Sequence, residues 1–138
     1  MESNMKKIRQ LSAMFLVVLM VLMTSITVFA STVTFNDVTI QNGQYMRFAK
    51  YNYEFYQIPG NTSVNHNITF TAPATSAVKS GYCKLNSSNN YNYINCLSGQ
   101  NSKYMYGDFT IRTAGQYKMF IFNGSANTMT VSTFSFTF

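Results

Sequence analysis

Two runs of alternating apolar and polar residues, joined by a turn signal, occupy Gly115 to Phe138 (GQYKMFIFNGSANTMTVSTFSFTF). An apolar period of two marks strands that each bury one face. Tyr117, Met119 and Ile121 share a face of the first run. After a turn at Asn123 to Asn127, Met129 and Val131 take one phase of the second run and Phe134, Phe136 and Phe138 the other. A strand keeps its apolar side inward across such a slip only through a bulge or a change of partner sheet. The spacing therefore predicts a bulge at Ser132-Thr133.

The same period recurs upstream. Ser31 to Ile40 alternates through Val33 and Phe35, breaks at Asn36-Asp37 and resumes at Val38 and Ile40, as one kinked strand or two short ones. Asn42-Gly43 signals a turn, and Tyr45 to Ile58 follows as a long aromatic strand with a break near Asn52. Val64, His66, Ile68 and Phe70 alternate cleanly, and a loop of small residues leads into Val78 to Leu85. Lys103 to Thr113 is a run that Gly107-Asp108 interrupts. β-branched and aromatic residues dominate, and no helical apolar spacing occurs past residue 30. The expectation is an all-β fold, a small antiparallel β-sandwich of seven to nine strands, jelly-roll-like or Ig-like, in residues 31–138. The Gly-x-Tyr start and Asn-x-Ser turn of the closing segment resemble the terminal hairpin of small secreted bacterial β-sandwich modules, a likeness that carries no function.

Ahead of this region stands an export signal. Lys6, Lys7 and Arg9 form a basic front, Ala13 to Met23 are eleven apolar residues, and Val28-Phe29-Ala30 ends the segment on a small residue. Residues 1–30 thus read as a helical signal peptide cleaved after Ala30, which makes the product secreted or extracellular. Cleavage removes 30 of the 138 residues and leaves 108, enough for one domain. Seven Lys+Arg and three acids remain, a net charge of +4 scattered along the chain, with no run to track a nucleic acid.

Cys83 and Cys96 are the only cysteines. If Asn89-Asn90 is a two-residue hairpin loop, Ser88 faces Tyr91 and counting back sets Cys83 opposite Cys96. Exported chains meet oxidising conditions, so a disulfide between the two is expected. On this register Leu85 and Ile94 share the disulfide's face, and Tyr82, Tyr91, Tyr93 and Leu97 lie on the other.

Past Ala30 the chain has one histidine, His66, and the acids Asp37, Glu54 and Asp108. No serine sits on a Gly-x-Ser-x-Gly elbow, the acids show no pairing, and His66 shares a phase with Val64, Ile68 and Phe70. No residue is assigned to catalysis, to a metal or to a cofactor. Tyrosines outnumber what a small core needs, and Tyr51, Tyr53, Tyr91, Tyr93, Tyr104 and Tyr106 are the candidate ligand-contact aromatics, suited to a glycan or a cell-surface protein. The leading expectation is a secreted, non-enzymatic module acting by surface contacts at the cell envelope or outside the cell. A secreted toxin or antimicrobial is the alternative, and the only reading with membrane contact. Its basis is that the Ser/Thr-rich alternating hairpins resemble pore-forming stems; separately, Phe134, Phe136 and Phe138 resemble the closing strand of outer-membrane barrels, but Ser31 to Leu97 does not alternate as cleanly as such a barrel needs. A small secreted hydrolase stands third.

Overall fold

The computed structural model describes residues 30–138, so the expected leader lies, but for Ala30, outside the described residues. The chain runs β1 (Thr32–Ile40), β2 (Gln44–Phe48), a 3-10 turn (Tyr51–Tyr53), β3 (Tyr56–Ile58), β4 (Thr62–Ala74), β5 (Val78–Leu85), β6 (Tyr91–Ser98), β7 (Ser102–Ile111), β8 (Gly115–Asn123) and β9 (Met129–Thr137). The fold is all-β, with nine strands among the described residues, paired antiparallel in two sheets. The first sheet has the order β1-β9-β4-β7 and the second β2-β8-β5-β6, with β3 also on β8.

Alternation sends one face of each sheet inward. Val64, Ile68, Phe70, Phe134 and Phe136 from the first sheet and Phe48, Ile58, Val78, Met119 and Ile121 from the second form one buried cluster. The Phe48 ring meets Phe134 edge-on at 4.5 Å, and Tyr56 meets Phe136 at 5.2 Å, so aromatic contacts bridge the sheets. Each such pair adds about 1 kcal/mol beyond the roughly 2 kcal/mol gained by burying a large apolar side chain. Asn123, fully buried where β8 ends, spends its amide on the backbone: Nδ2 donates to Ile40 O and Asn127 O, and Oδ1 accepts from Ser125 N. It thereby ties the last turn to the end of β1.

The predicted bulge is present. β4 keeps one phase from Val64 to Phe70, whereas β9 changes phase, so Thr69 faces Thr133 while Phe70 faces Val131 and Ser132 is the extra residue. Ser132 Oγ donates to Thr69 O at 3.0 Å. β1 slips together with β9: the pairs Asn36–Thr133 and Val38–Val131 keep one register, and Asp37 between them takes φ +53°. Two matched irregularities therefore turn Val33, Phe35, Phe134 and Phe136 to the same side as Val38, Ile40, Met129 and Val131. The break near Asn52 is also present, at φ +62° between β2 and β3. β7, by contrast, passes through Gly107 and Asp108 without interruption, because both residues pair with β4.

The β5-β6 hairpin departs from expectation. Asn86 Oδ1 accepts from Ser88 N and Asn90 N, Asn86 N donates to Asn90 O, and Asn89 stands at φ +58°. This is a three-residue loop closed by a left-handed residue, in place of a two-residue loop at Asn89-Asn90. The register moves with it: Cys83 faces Tyr93 and Leu85 faces Tyr91. Farther along, Ser80 faces Leu97 and Gly81 faces Asn95, which leaves Cys96 as the unpaired residue of a bulge. Cys83 and Cys96 are free thiols, so the expected disulfide is corrected: the opposition on which it rested does not occur. Tyr91 and Tyr93, placed on the opposite face by the expected register, share the face of Cys83.

Candidate functional site

The six tyrosines singled out from the sequence do not form one face. Tyr104 and Tyr106 alternate on β7 with Met105, which enters the core, so both rings stand on the outer side of the first sheet, 62% and 77% exposed. Their cross-strand partners on β4 are Thr69 and Asn67. An open cleft of 910 Å³ runs along this edge, lined by Tyr104, Tyr106, Asn65, Asn67, Ser98 and Gln100 among others. Amides supply donors and acceptors together, and Asn65 Nδ2 already donates to Asp108 Oδ1 at 2.8 Å. Exposed rings beside neutral amides are suited to a polyhydroxylated ligand.

Tyr91 and Tyr93 occupy the outer side of the second sheet, where β2, β5, β6 and β8 bring a different chemistry together. Tyr45 stacks on Tyr93 with centroids 3.8 Å apart, and Tyr93 sets its edge against Phe120 at 5.0 Å. Arg47 Nη1 donates to Tyr93 Oη at 2.7 Å, with the guanidinium 4.5 Å from the Tyr91 ring centroid. Lys118 Nζ donates to Tyr91 Oη at 3.0 Å and lies 4.5 Å from the Phe55 centroid. Sequence reasoning missed Tyr45, Arg47, Phe55 and Lys118. A signal existed, since Lys118, Phe120 and Phe122 form the second phase of the strand whose first phase is Tyr117, Met119 and Ile121.

Tyr51 lies apart, 86% exposed in the 3-10 turn that also holds Tyr53. It borders a second cavity, of 610 Å³, with Val33, Phe35, Tyr56 and Phe138.

His66 is fully buried, with Nδ1 2.6 Å from Ser80 Oγ and Nε2 without a partner. Phe109 and Phe134 set their rings perpendicular to the imidazole, at 4.7 and 4.9 Å. Burial pushes its pKa down to about 3, so the ring is neutral. Asp108 points its carboxylate at Asn65 on the outer face, so the Ser80–His66 pair reads as a tie between the sheets. Burial raises both thiols to about 11, although Arg47 and Lys118 pull Cys83 the other way, and protonated thiols are poor nucleophiles and ligands. Among the described residues no three of His, Cys, Asp and Glu gather as a metal site. Comparison with known proteins finds no family and no curated protein that matches this chain.

Proposed function

We propose that the chain is a secreted, non-enzymatic β-sandwich that works as a binding module at the cell envelope or outside the cell. Counting β2 and β3 as one interrupted strand, the pairs β1 with β9, β2/β3 with β8, β4 with β7 and β5 with β6 nest inside one another. Such nesting, wrapped into two sheets, supports the jelly-roll form over the Ig-like one. One observation carries the functional reading: the cleft at the outer edge of the first sheet, where Tyr104 and Tyr106 stand exposed beside Asn65, Asn67 and Gln100. Large rings left in solvent on a regular strand give contact area at low entropic cost. Neutral amides beside them match the hydroxyls of a glycan.

The test is retention of the protein, produced from the whole chain, on immobilised neutral glycans and on intact cells. Binding should fall about tenfold, the equivalent of about 1.4 kcal/mol, in Tyr104→Ala and again in Tyr106→Ala. Dye leakage from liposomes without glycan or cell retention would replace this reading with the membrane-active one. Retention that ignores both substitutions would remove the cleft from it.

A further inference from the structure

The five strands of the second sheet contain Arg47, Lys79, Lys84 and Lys118 and no Asp or Glu. On its outer face the hydrogen bonds of Arg47 and Lys118 go to phenols: Arg47 to Tyr93, Lys118 to Tyr91. Lys118 is only 7% exposed, and a buried ammonium with one acceptor leaves donors unmatched. The guanidinium likewise keeps most of its N–H groups free. Both phenol oxygens are occupied as acceptors, and each hydroxyl keeps its own hydrogen to give. Arg47, Lys118, Tyr91 and Tyr93 therefore present donors and no free charged acceptor. Alongside, the Tyr45 ring, 38% exposed, is packed between those of Tyr93, at 3.8 Å, and Phe122, at 4.4 Å.

From this cluster we infer a second binding site, for an oxyanion, carboxylate or sulfate, borne on the sugar ring of an acidic glycan. A guanidinium at the rim accepts two oxygens in one plane, and a recessed ammonium adds a point charge behind it. The exposed part of this aromatic cluster gives apolar contact to the ring that carries the anion. A lipid surface fits less well, because Lys118 is recessed within the sheet and does not project into solvent. The site is independent of the tyrosine–amide cleft, which lies on the other sheet.

The experiment is calorimetric titration of the protein, expressed from the whole chain, with sulfated, carboxylated and neutral forms of one oligosaccharide backbone. Ionic strength is held near 0.15 M, where attraction beyond about 8 Å is screened. An acidic form should bind at least about tenfold tighter than the neutral one. Arg47→Gln, at an exposed position that does not endanger folding, should abolish most of that preference. Tyr93→Phe, which keeps the ring and loses the hydroxyl that orients Arg47, should reduce it in part. Arg112→Gln removes the same charge elsewhere and should leave it intact. An equal loss in Arg112→Gln would reduce the effect to net charge and overturn the site. So would no preference for the acidic form, or binding to anionic vesicles alone. Tyr104→Ala and Tyr106→Ala should not change this preference, so the two sites succeed or fail separately.

Discussion

His66 on β4 reaches Ser80 on β5 through a 2.6 Å hydrogen bond that crosses from one sheet to the other inside the core. The bond is made by side chains that are both fully buried, among phenylalanine rings. It links folding to acidity. Burial holds the imidazole at about 3, whereas the unfolded chain titrates near the ordinary 6.5.

Between those two values the unfolded chain takes up a proton that the folded one refuses. Stability should therefore fall as pH falls below about 6.5, by up to about 1.4 kcal/mol per pH unit. Denaturant midpoints between about pH 7 and about pH 5 measure this, above the range of exposed carboxylates. His66→Gln should flatten the slope. A slope unchanged by that substitution would place the proton elsewhere.

The matched slips in β1 and β9 make a second prediction. Deleting Ser132 alone would restore alternation in β9 but break its register with β1, which is continuous in the intact chain. Deleting Asp37 and Ser132 together should restore both alternation and register, and should also remove a left-handed aspartate, at φ +53°. The single deletion should be clearly destabilising, by about 2 kcal/mol or more, and the double deletion more stable than the single. Additive losses would contradict this coupling.

Two strand glycines, one in each sheet, should differ in their tolerance of alanine. A Cβ at Gly81 would run into the carbonyl of Ile94, where the strand bulges around Cys96 and backbone cannot yield. Gly81→Ala should cost about 3 kcal/mol. At Gly107 the nearest atom is Leu97 Cδ2, 2.7 Å from where a Cβ would stand, the tip of a side chain that can turn away. Gly107→Ala should cost under about 1 kcal/mol. Thermal unfolding of the two variants decides it.

Thiol counting tests the hairpin register. Two thiols should react in denaturant without prior reduction, and a reducing agent should leave the melting temperature unchanged. In the folded protein labelling should be slow, since burial raises both thiols to about 11, and half-buried Cys96 should react before Cys83.

Where apolar period alone decides, structure was legible in the chain. Val64, His66, Ile68 and Phe70 point inward as their alternation requires, and the slip between Val131 and Phe134 is a bulge because both residues are buried. The β5-β6 register was not legible, because it depends on which asparagine folds its side chain onto the loop. In Asn86-Ser-Ser-Asn89-Asn90 several residues have the chemistry, and Asn86 takes the role. The cationic face was hidden for another reason. Arg47 and Lys118 are 71 positions apart, and only the long-range pairing of β8 with both β2 and β5 brings them to one patch. Gly107 reads as a breaker by composition, yet pairing with His66 keeps it in the strand.

β1 has one neighbour in its sheet, β9, and Thr32 is matched with Thr137. The opening strand must therefore wait for the closing one before it finds a partner. Such distant partners make for slow folding. During synthesis the first sheet would therefore lack its outer strand until the last residues are made, and the two layers would close in a single late step.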